Sequence, residues 1–301
     1  MKRILPWLLV VLAGALPAAD EPTPDVADLP YKAGELTPYE VERCKLDLWL
    51  PPASAAQGFS TLVWFHGGGL TQGDKAGVHT RRIGRSLAAE GLAVATVSYR
   101  LSPKATYPAY CEDAAAAVAW VRAHIAERGG RPERVFVGGH SAGGYLAAML
   151  AMDARLLARH GLQPTDLAGY IPVSGQMMTH YQIREERGIP KACVVADEAA
   201  PIRWVRKDAP PLLVLYADRD MASRAEECAY FVAALKAAGC KTVRGLQIAD
   251  RTHNTVADKI AQPADPARQA LLAFVQETVS GTVSSPPAAK TAPDTVSGAP
   301  R

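Results

Sequence analysis

The chain has 301 residues, of which 49% are apolar and 21% charged, with a net charge of +3 and five cysteines. That is the composition of an ordinary globular α/β protein, long enough for one large domain or two small ones. So small and evenly spread a charge argues against a nucleic-acid partner, and the sequence holds no internal repeat, no metal-spaced Cys/His cluster and no Gly-Lys-Ser/Thr phosphate loop.

Residues 1–19 pair a basic start, Met1-Lys2-Arg3, with an apolar run over 4–16 and small residues at Pro17-Ala18-Ala19. This predicts a secretory signal cleaved near Ala18 or Ala19, too short in its apolar part for a spanning helix, and so an exported protein, periplasmic or secreted. Residues 20–38 are acidic and proline-rich and are expected to form a flexible leader. Residues 39–50 alternate apolar and polar side chains at Val41, Cys44, Leu46, Leu48 and Leu50, the pattern of a half-buried strand near a sheet edge.

Thr61-Leu62-Val63-Trp64-Phe65 is apolar throughout and runs into His66-Gly67-Gly68-Gly69. A stretch apolar on both faces predicts a central parallel strand. A helix over 82–90, a strand over 92–99, a long helix opened by Pro108 and a strand over 134–138 follow. Next come a helix over 145–150 and a strand over 168–173. Residues 174–208 lack a clean period, which in a chain this regular predicts a small cap insertion. Strands over 212–216 and 241–248, a helix over 223–238 between them and a closing helix over 265–278 complete a domain at 39–279. The alternation implies right-handed crossovers and a mostly parallel sheet with helices on both faces. Residues 280–301 are rich in Pro, Ala, Ser and Thr and are expected to be disordered. The cysteines are read as buried free thiols, although Cys228 and Cys240 flank one helix and the exported setting permits a disulfide.

The chemistry sits where the strand ending at Gly138 turns into a helix, at Gly139-His140-Ser141-Ala142-Gly143. Gly-x-Ser-x-Gly in that context is a nucleophile elbow: the sharp turn exposes the serine hydroxyl, and glycines on either side let strand and helix approach. A serine needs a base held by an acid, in the chain order Ser, Asp or Glu, His. His253, in the loop after the last strand, is the candidate base. His160 falls at a helix end, and His180 falls in the cap. Asp218 and Asp220 both follow the strand over 212–216 and are both candidates for the acid. The oxyanion donors are sought in the Ala142 amide, next to the nucleophile, and in the amides of the His66-Gly67-Gly68-Gly69 turn.

His66-Gly67-Gly68-Gly69, Ser98-Tyr99-Arg100-Leu101-Ser102-Pro103, Tyr107-Pro108-Ala109 with Asp113, Gly139-His140-Ser141-Ala142-Gly143-Gly144, Pro210-Pro211-Leu212-Leu213 and His253 together resemble the α/β-hydrolase superfamily. The nearest group is the esterase/lipase branch with the His-Gly-Gly-Gly motif, related to hormone-sensitive lipase and to feruloyl-esterase-like carboxylesterases. The resemblance covers residues 39–278 and implies the α/β-hydrolase fold, with an eight-stranded sheet. It also implies a Ser141–Asp220–His253 triad with oxyanion amides at Gly68, Gly69 and Ala142. Where many relatives read Gly-x-x-Asp-Pro around the acid, this chain has Ala217 and Met221, which keeps Asp218 in play. Arg100 and Asp113 resemble a structural pair of the family.

The expected function is a serine carboxylesterase working through an acyl-enzyme on small or medium acyl esters, including plant-polysaccharide acyl groups, without cofactor or metal. Alternatives are an amide hydrolase of the kynurenine-formamidase type and a catalytically silent binding protein of the same fold. Met177, Met178 and Tyr181 in the cap are candidates for the substrate-pocket wall. The expected partner is a small or polysaccharide-linked ester, with no nucleic acid and no membrane span after signal removal.

Overall fold

The apolar runs become strands in the computed structural model, which describes residues 21–52 and 58–282. The first half carries β1 (Val26–Pro30), α1 (Pro38–Arg43), β2 (Lys45–Trp49), β3 (Phe59–Phe65), α2 (Val78–Ala88), β4 (Ala93–Val97) and α3 (Ala109–His124). Then come β5 (Gly130–His140), α4 (Ala142–Met152), α5 (Ala154–Ala158), β6 (Gly169–Val173) and α6 (Tyr181–Glu186). The remainder is β7 (Leu212–Arg219), α7 (Arg224–Ala237), β8 (Val243–Thr252), α8 (Thr255–Asp258) and α9 (Pro266–Val279).

The eight strands form one sheet in the order β1-β2-β4-β3-β5-β6-β7-β8. Only the β1–β2 and β2–β4 pairs are antiparallel; the other five are parallel. This is the α/β-hydrolase fold. All five residues of β4 and of β6 are buried, as strands covered on both faces require. One core packs α3, α4 and α7 on the face that holds Val63, Val137 and Val214. On the other face α2 and α9 pack through Ile83, Leu87, Leu271 and Phe274 against Leu62, Phe136 and Leu215. Among the described residues no helix is long and apolar enough to cross a membrane.

Two expectations at the N-terminal end are corrected. Residues 39–50 are not one strand: α1 opens the segment, because Thr37 and Glu40 close a capping box that satisfies the first amides of a helix, and β2 follows. The flexible leader expected over 20–38 carries, in its described part, the edge strand β1 at Val26–Pro30. Its residues find buried partners. Asp28 shares Lys75 with Asp47, at 2.8 and 2.7 Å, and the buried Tyr31 hydroxyl donates to the Ser98 carbonyl oxygen at 2.8 Å. The expected signal over 1–19 and the tail from 283 lie outside the described residues.

The segment over 174–208 does not stand off as a separate lid. It carries α6, and Met177, Ile183 and Ala199 join the main core. All five cysteines are free, four of them buried and Cys193 exposed.

Arg100 and Asp113 form a structural pair. The fully buried Asp113 carboxylate takes Arg100 Nε at 2.8 Å and Nη2 at 2.7 Å, and Lys32 Nζ at 2.5 Å. One carboxylate thus ties the N-terminal segment, the end of β4 and α3 together. Removing it leaves Lys32 and Arg100 to share the Glu40 carboxylate, at 2.9 and 3.4 Å, a loss of about 3 kcal/mol, the lower end for breaking a buried pair. Asp113→Ala is expected to lower the urea-unfolding free energy by that amount; a loss below about 1 kcal/mol would show that the cluster behaves as a surface ion pair.

Candidate active site

The parallel strands deliver the site to their carboxyl ends. β3 runs into the glycine turn, β5 into Ser141, β7 into Asp220 and β8 into His253. Ser141 has φ 56° and ψ −113°, a strained conformation for a residue with a side chain, in the turn between β5 and α4. The strain persists because the turn has no room to relax: a Cβ on Gly143 would lie 2.0 Å from the Phe65 carbonyl oxygen. The Ser141 amide donates to the Val173 carbonyl of β6 at 2.9 Å, which clamps the turn on its other side.

The three far-apart side chains meet. His253 Nε2 lies 2.8 Å from Ser141 Oγ, and His253 Nδ1 lies 2.6 Å from Asp220 Oδ1. A carboxylate only accepts, so Nδ1 carries the proton and Nε2 offers its lone pair to the serine hydroxyl. The His253 side chain is 15% exposed and that of Asp220 1% exposed, so the base opens to the pocket while the acid is sealed behind it.

Asp220 is held from several sides. Its Oδ2 accepts from Ser174 Oγ at 2.5 Å and the Ala217 amide at 3.2 Å, and its Oδ1 accepts from the Met221 amide at 2.8 Å. Burial pushes its carboxyl up, but the hydrogen bonds from His253 and Ser174 and the charge of His253 outweigh burial and hold it below 3.8. Asp218 does a different job: it accepts the amides of Asp250 and Arg251, both at 2.9 Å, and so braces the strand that leads to His253. Ser174 was not visible as a site residue in the sequence, where nothing sets it apart from any serine after a strand.

The glycine turn lies against the serine. A Cβ on Gly67 would be 3.4 Å from Ser141 Cβ. Gly68 and Gly69 take φ 112° and 64°, left-handed values that glycine adopts most easily. Ala142 is the first residue of α4, so its amide has no carbonyl one turn earlier in the helix. His66 pins the turn: its ring stacks on Tyr99 at 4.4 Å, its carbonyl accepts the Tyr99 hydroxyl at 2.8 Å and its Nδ1 donates to the Gly67 carbonyl oxygen at 2.6 Å.

These groups open into a cavity of about 490 Å³, lined among others by Gly68, Gly69, Tyr181 and Met221. Of the three expected wall residues only Tyr181 lines it; its hydroxyl lies 2.1 Å from where a Cβ on Gly69 would stand. Met177 is in the core, and neither it nor Met178 faces the cavity. The reason is Glu227 on α7, whose Oε2 accepts both their amides, at 3.1 and 3.3 Å, and draws that stretch away from Ser141. Met221, read from the sequence only as a departure beside the acid, takes the place at the rim and is 46% exposed.

Burial also disfavours charge on the histidines around the site. His66 is pushed down from 6.5 to about 4. His140 goes to about 3, with burial first and the neighbouring His253 second. The unfolded chain takes up these protons below about 6.5 and the folded chain does not until about 4 and 3, so stability is complete above about 6.5 and drains as pH falls through that window. Thermal unfolding is therefore expected to shift downward steadily from about pH 6.5 to about pH 4.5. His140→Gln, which has nothing to titrate there, should flatten the slope by up to about 1.4 kcal/mol per pH unit; a midpoint indifferent to acid would contradict the buried-neutral assignment.

The model of the prolyl oligopeptidase family matches residues 111–282, more than half of the chain, and a second family model, BD-FAE, matches residues 46–163. Esterase LipQ of Mycobacterium tuberculosis is 30% identical over 250 residues, covering 75% of this chain and 56% of that protein. The chain spans about half the length of the curated relatives it matches. Among solved structures, a truncated carbohydrate esterase from gut microbiota superposes with a TM-score of 0.68 at 18% identity, covering 87% of this chain and 99% of that one. The propionate-bound esterase Est2 of Thermogutta terrifontis superposes with a TM-score of 0.62 at 24% identity, covering 79% and 91%. At these identities the structural likeness speaks for the fold.

Proposed function

Because this chain belongs to the α/β-hydrolase superfamily, to the prolyl oligopeptidase family within it and by its His-Gly-Gly-Gly motif to the esterase/lipase branch, we propose that it is a serine carboxylesterase acting on small or medium acyl esters. One observation carries the reading: the unbroken relay from Asp220 Oδ1 through His253 to Ser141 Oγ, with links of 2.6 and 2.8 Å. The esterase names of its relatives support ester rather than peptide chemistry.

The reaction follows from the geometry. Ser141 Oγ attacks the ester carbonyl carbon while its proton passes to His253 Nε2. Asp220, ionised and dry, stabilises the imidazolium that forms. The carbonyl oxygen becomes an oxyanion that the amides of Gly68, Gly69 and Ala142 receive. His253 then gives its proton to the departing alkoxide, and the alcohol leaves an acyl group on Ser141. Water, losing a proton to the same Nε2, attacks the acyl carbon; the proton returns to Ser141 as the carboxylic acid departs.

Residues 1–19 carry the composition of a secretory signal, which supports an exported enzyme. Polar groups at Thr71, Gln72 and Asn254 line the cavity, with no lysine or arginine lining it among the described residues, which favours an uncharged, hydroxyl-bearing alcohol such as a sugar over an anionic one. Acylated plant polysaccharide is therefore the substrate class to test first, against formyl amides as the competing class.

Ser141→Ala is expected to reduce p-nitrophenyl acetate hydrolysis by at least about a thousandfold with an unchanged fold by circular dichroism. Full turnover by that variant would end the serine-esterase reading. The two aspartates separate cleanly: Asp220→Asn should lose about 10³–10⁴ in kcat, because the amide cannot hold the imidazole tautomer. Asp218→Asn should lose no more than about tenfold. Steady-state kinetics that rank them the other way would move the acid to Asp218.

A further inference from the structure

The ring of His253 is held at both nitrogens, by Asp220 and Ser141. Those two bonds orient the imidazole, but they do not determine where the backbone that carries it stands. Upstream, Asp218 grips the amides of Asp250 and Arg251. On His253 itself the grip comes from a residue the proposed reaction does not use. His140 Nε2 donates to the His253 carbonyl oxygen at 2.7 Å, and the two rings lie 4.8 Å apart, tilted at 45°.

His140 is the last residue of β5, directly before Ser141. The strand that presents the hydroxyl therefore also presents a donor to the base. A carbonyl only accepts, so the His140 proton is on Nε2 and its Nδ1 is bare. That bare nitrogen faces the glycine turn: a Cβ on Gly67 would lie 3.1 Å from it. One ring thus spans from the turn that carries the oxyanion amides to the main chain of the base. Burial keeps it uncharged, at about 3, so it does not repel the imidazolium that forms beside it.

We propose that His140 is a positioning residue, whose Nε2–H bond to the His253 carbonyl sets the height of the base over Ser141. This rests on the esterase reading above. A base carried on a loop has backbone freedom that its ring contacts alone do not remove, and a displacement of about 1 Å between reacting groups costs about a hundredfold in rate.

Three substitutions test it. Glutamine carries its amide nitrogen near the Nε2 position, asparagine carries its own near Nδ1, and leucine carries no donor. His140→Gln is expected to keep kcat within about threefold, while His140→Asn and His140→Leu lose about ten- to a hundredfold in kcat with KM within about twofold. The downfield proton resonance of the His253–Asp220 hydrogen bond should persist in the wild type and in His140→Gln and broaden or vanish in the other two. All assays are run well below each variant's unfolding midpoint; if His140→Leu does not fold, the Gln and Asn pair decides. Wild-type kcat and resonance in His140→Asn or His140→Leu overturn the proposal, as does a His140→Gln variant that falls as far as His140→Asn. If Ser141→Ala remains active, the esterase reading fails instead, and the resonance, which needs no substrate, still decides the role of His140.

Discussion

The close approach of the first turn of α4 to the end of β3 is the constraint on which the site depends. Gly143 sits so near the Phe65 carbonyl that any side chain there would collide with backbone. The chain can enter the helix only through a positive φ at Ser141, and the strain is held because strands on either side leave no alternative. From that one collision limit follow the exposed hydroxyl, the free amide at Ala142 and the proximity of the glycine turn, since β3 and β5 are neighbours in the sheet.

The acid and the base reach the serine by a different route. β7 and β8 lie on the far side of β5 from the glycine turn, and the acid and base stand one residue past their ends, where the ladder no longer holds the backbone. Four polar contacts hold it instead. Ser174 and the Ala217 amide seat Asp220, Asp218 seats the strand before His253, and His140 takes the carbonyl of His253. Each partner is itself on or beside a strand end, so rigidity passes from the sheet to loops that have little of their own. Ser174 resembles Ser141 in taking a positive φ, 47°, on a neighbouring strand end.

The cavity is shaped by what the segment between β6 and β7 does. Its ordering owes more to ion pairs and hydrogen bonds than to periodicity: Thr179 bonds to Asp197, and Arg187 pairs with Asp197 and Glu198. That stitching brings Tyr181 over Gly69, while Glu227 pulls the two methionines the other way. The N-terminal segment is ordered by the same means, through Lys32 and Asp28.

Local chemistry made much of this legible without coordinates. Short apolar runs bounded by turn residues and rich in β-branched side chains read as buried strands, so β3 to β7 and the parallel sheet could be read from the chain, whereas β8 is mostly exposed. Gly139-x-Ser141-x-Gly143 after such a run allows little but a sharp turn. His253 and the pair Asp218 and Asp220 were narrowed by position after the last two long strands. What composition and spacing left open was decided by contacts between residues distant in sequence. Asp218, in β7, and Asp220, just past its end, are two positions apart, and the neighbouring β8 determines which one meets an imidazole and which one meets amides. Met177 and Met178 differ from Met221 only in where Glu227 and the strand end carry them. The acidic leader became a strand because Lys75 and Ser98, far along the chain, wait for it. Periodicity reports which face of an element is dry; it does not report the partner, because a hydrogen bond or ion pair spanning a hundred residues leaves no mark on the local pattern.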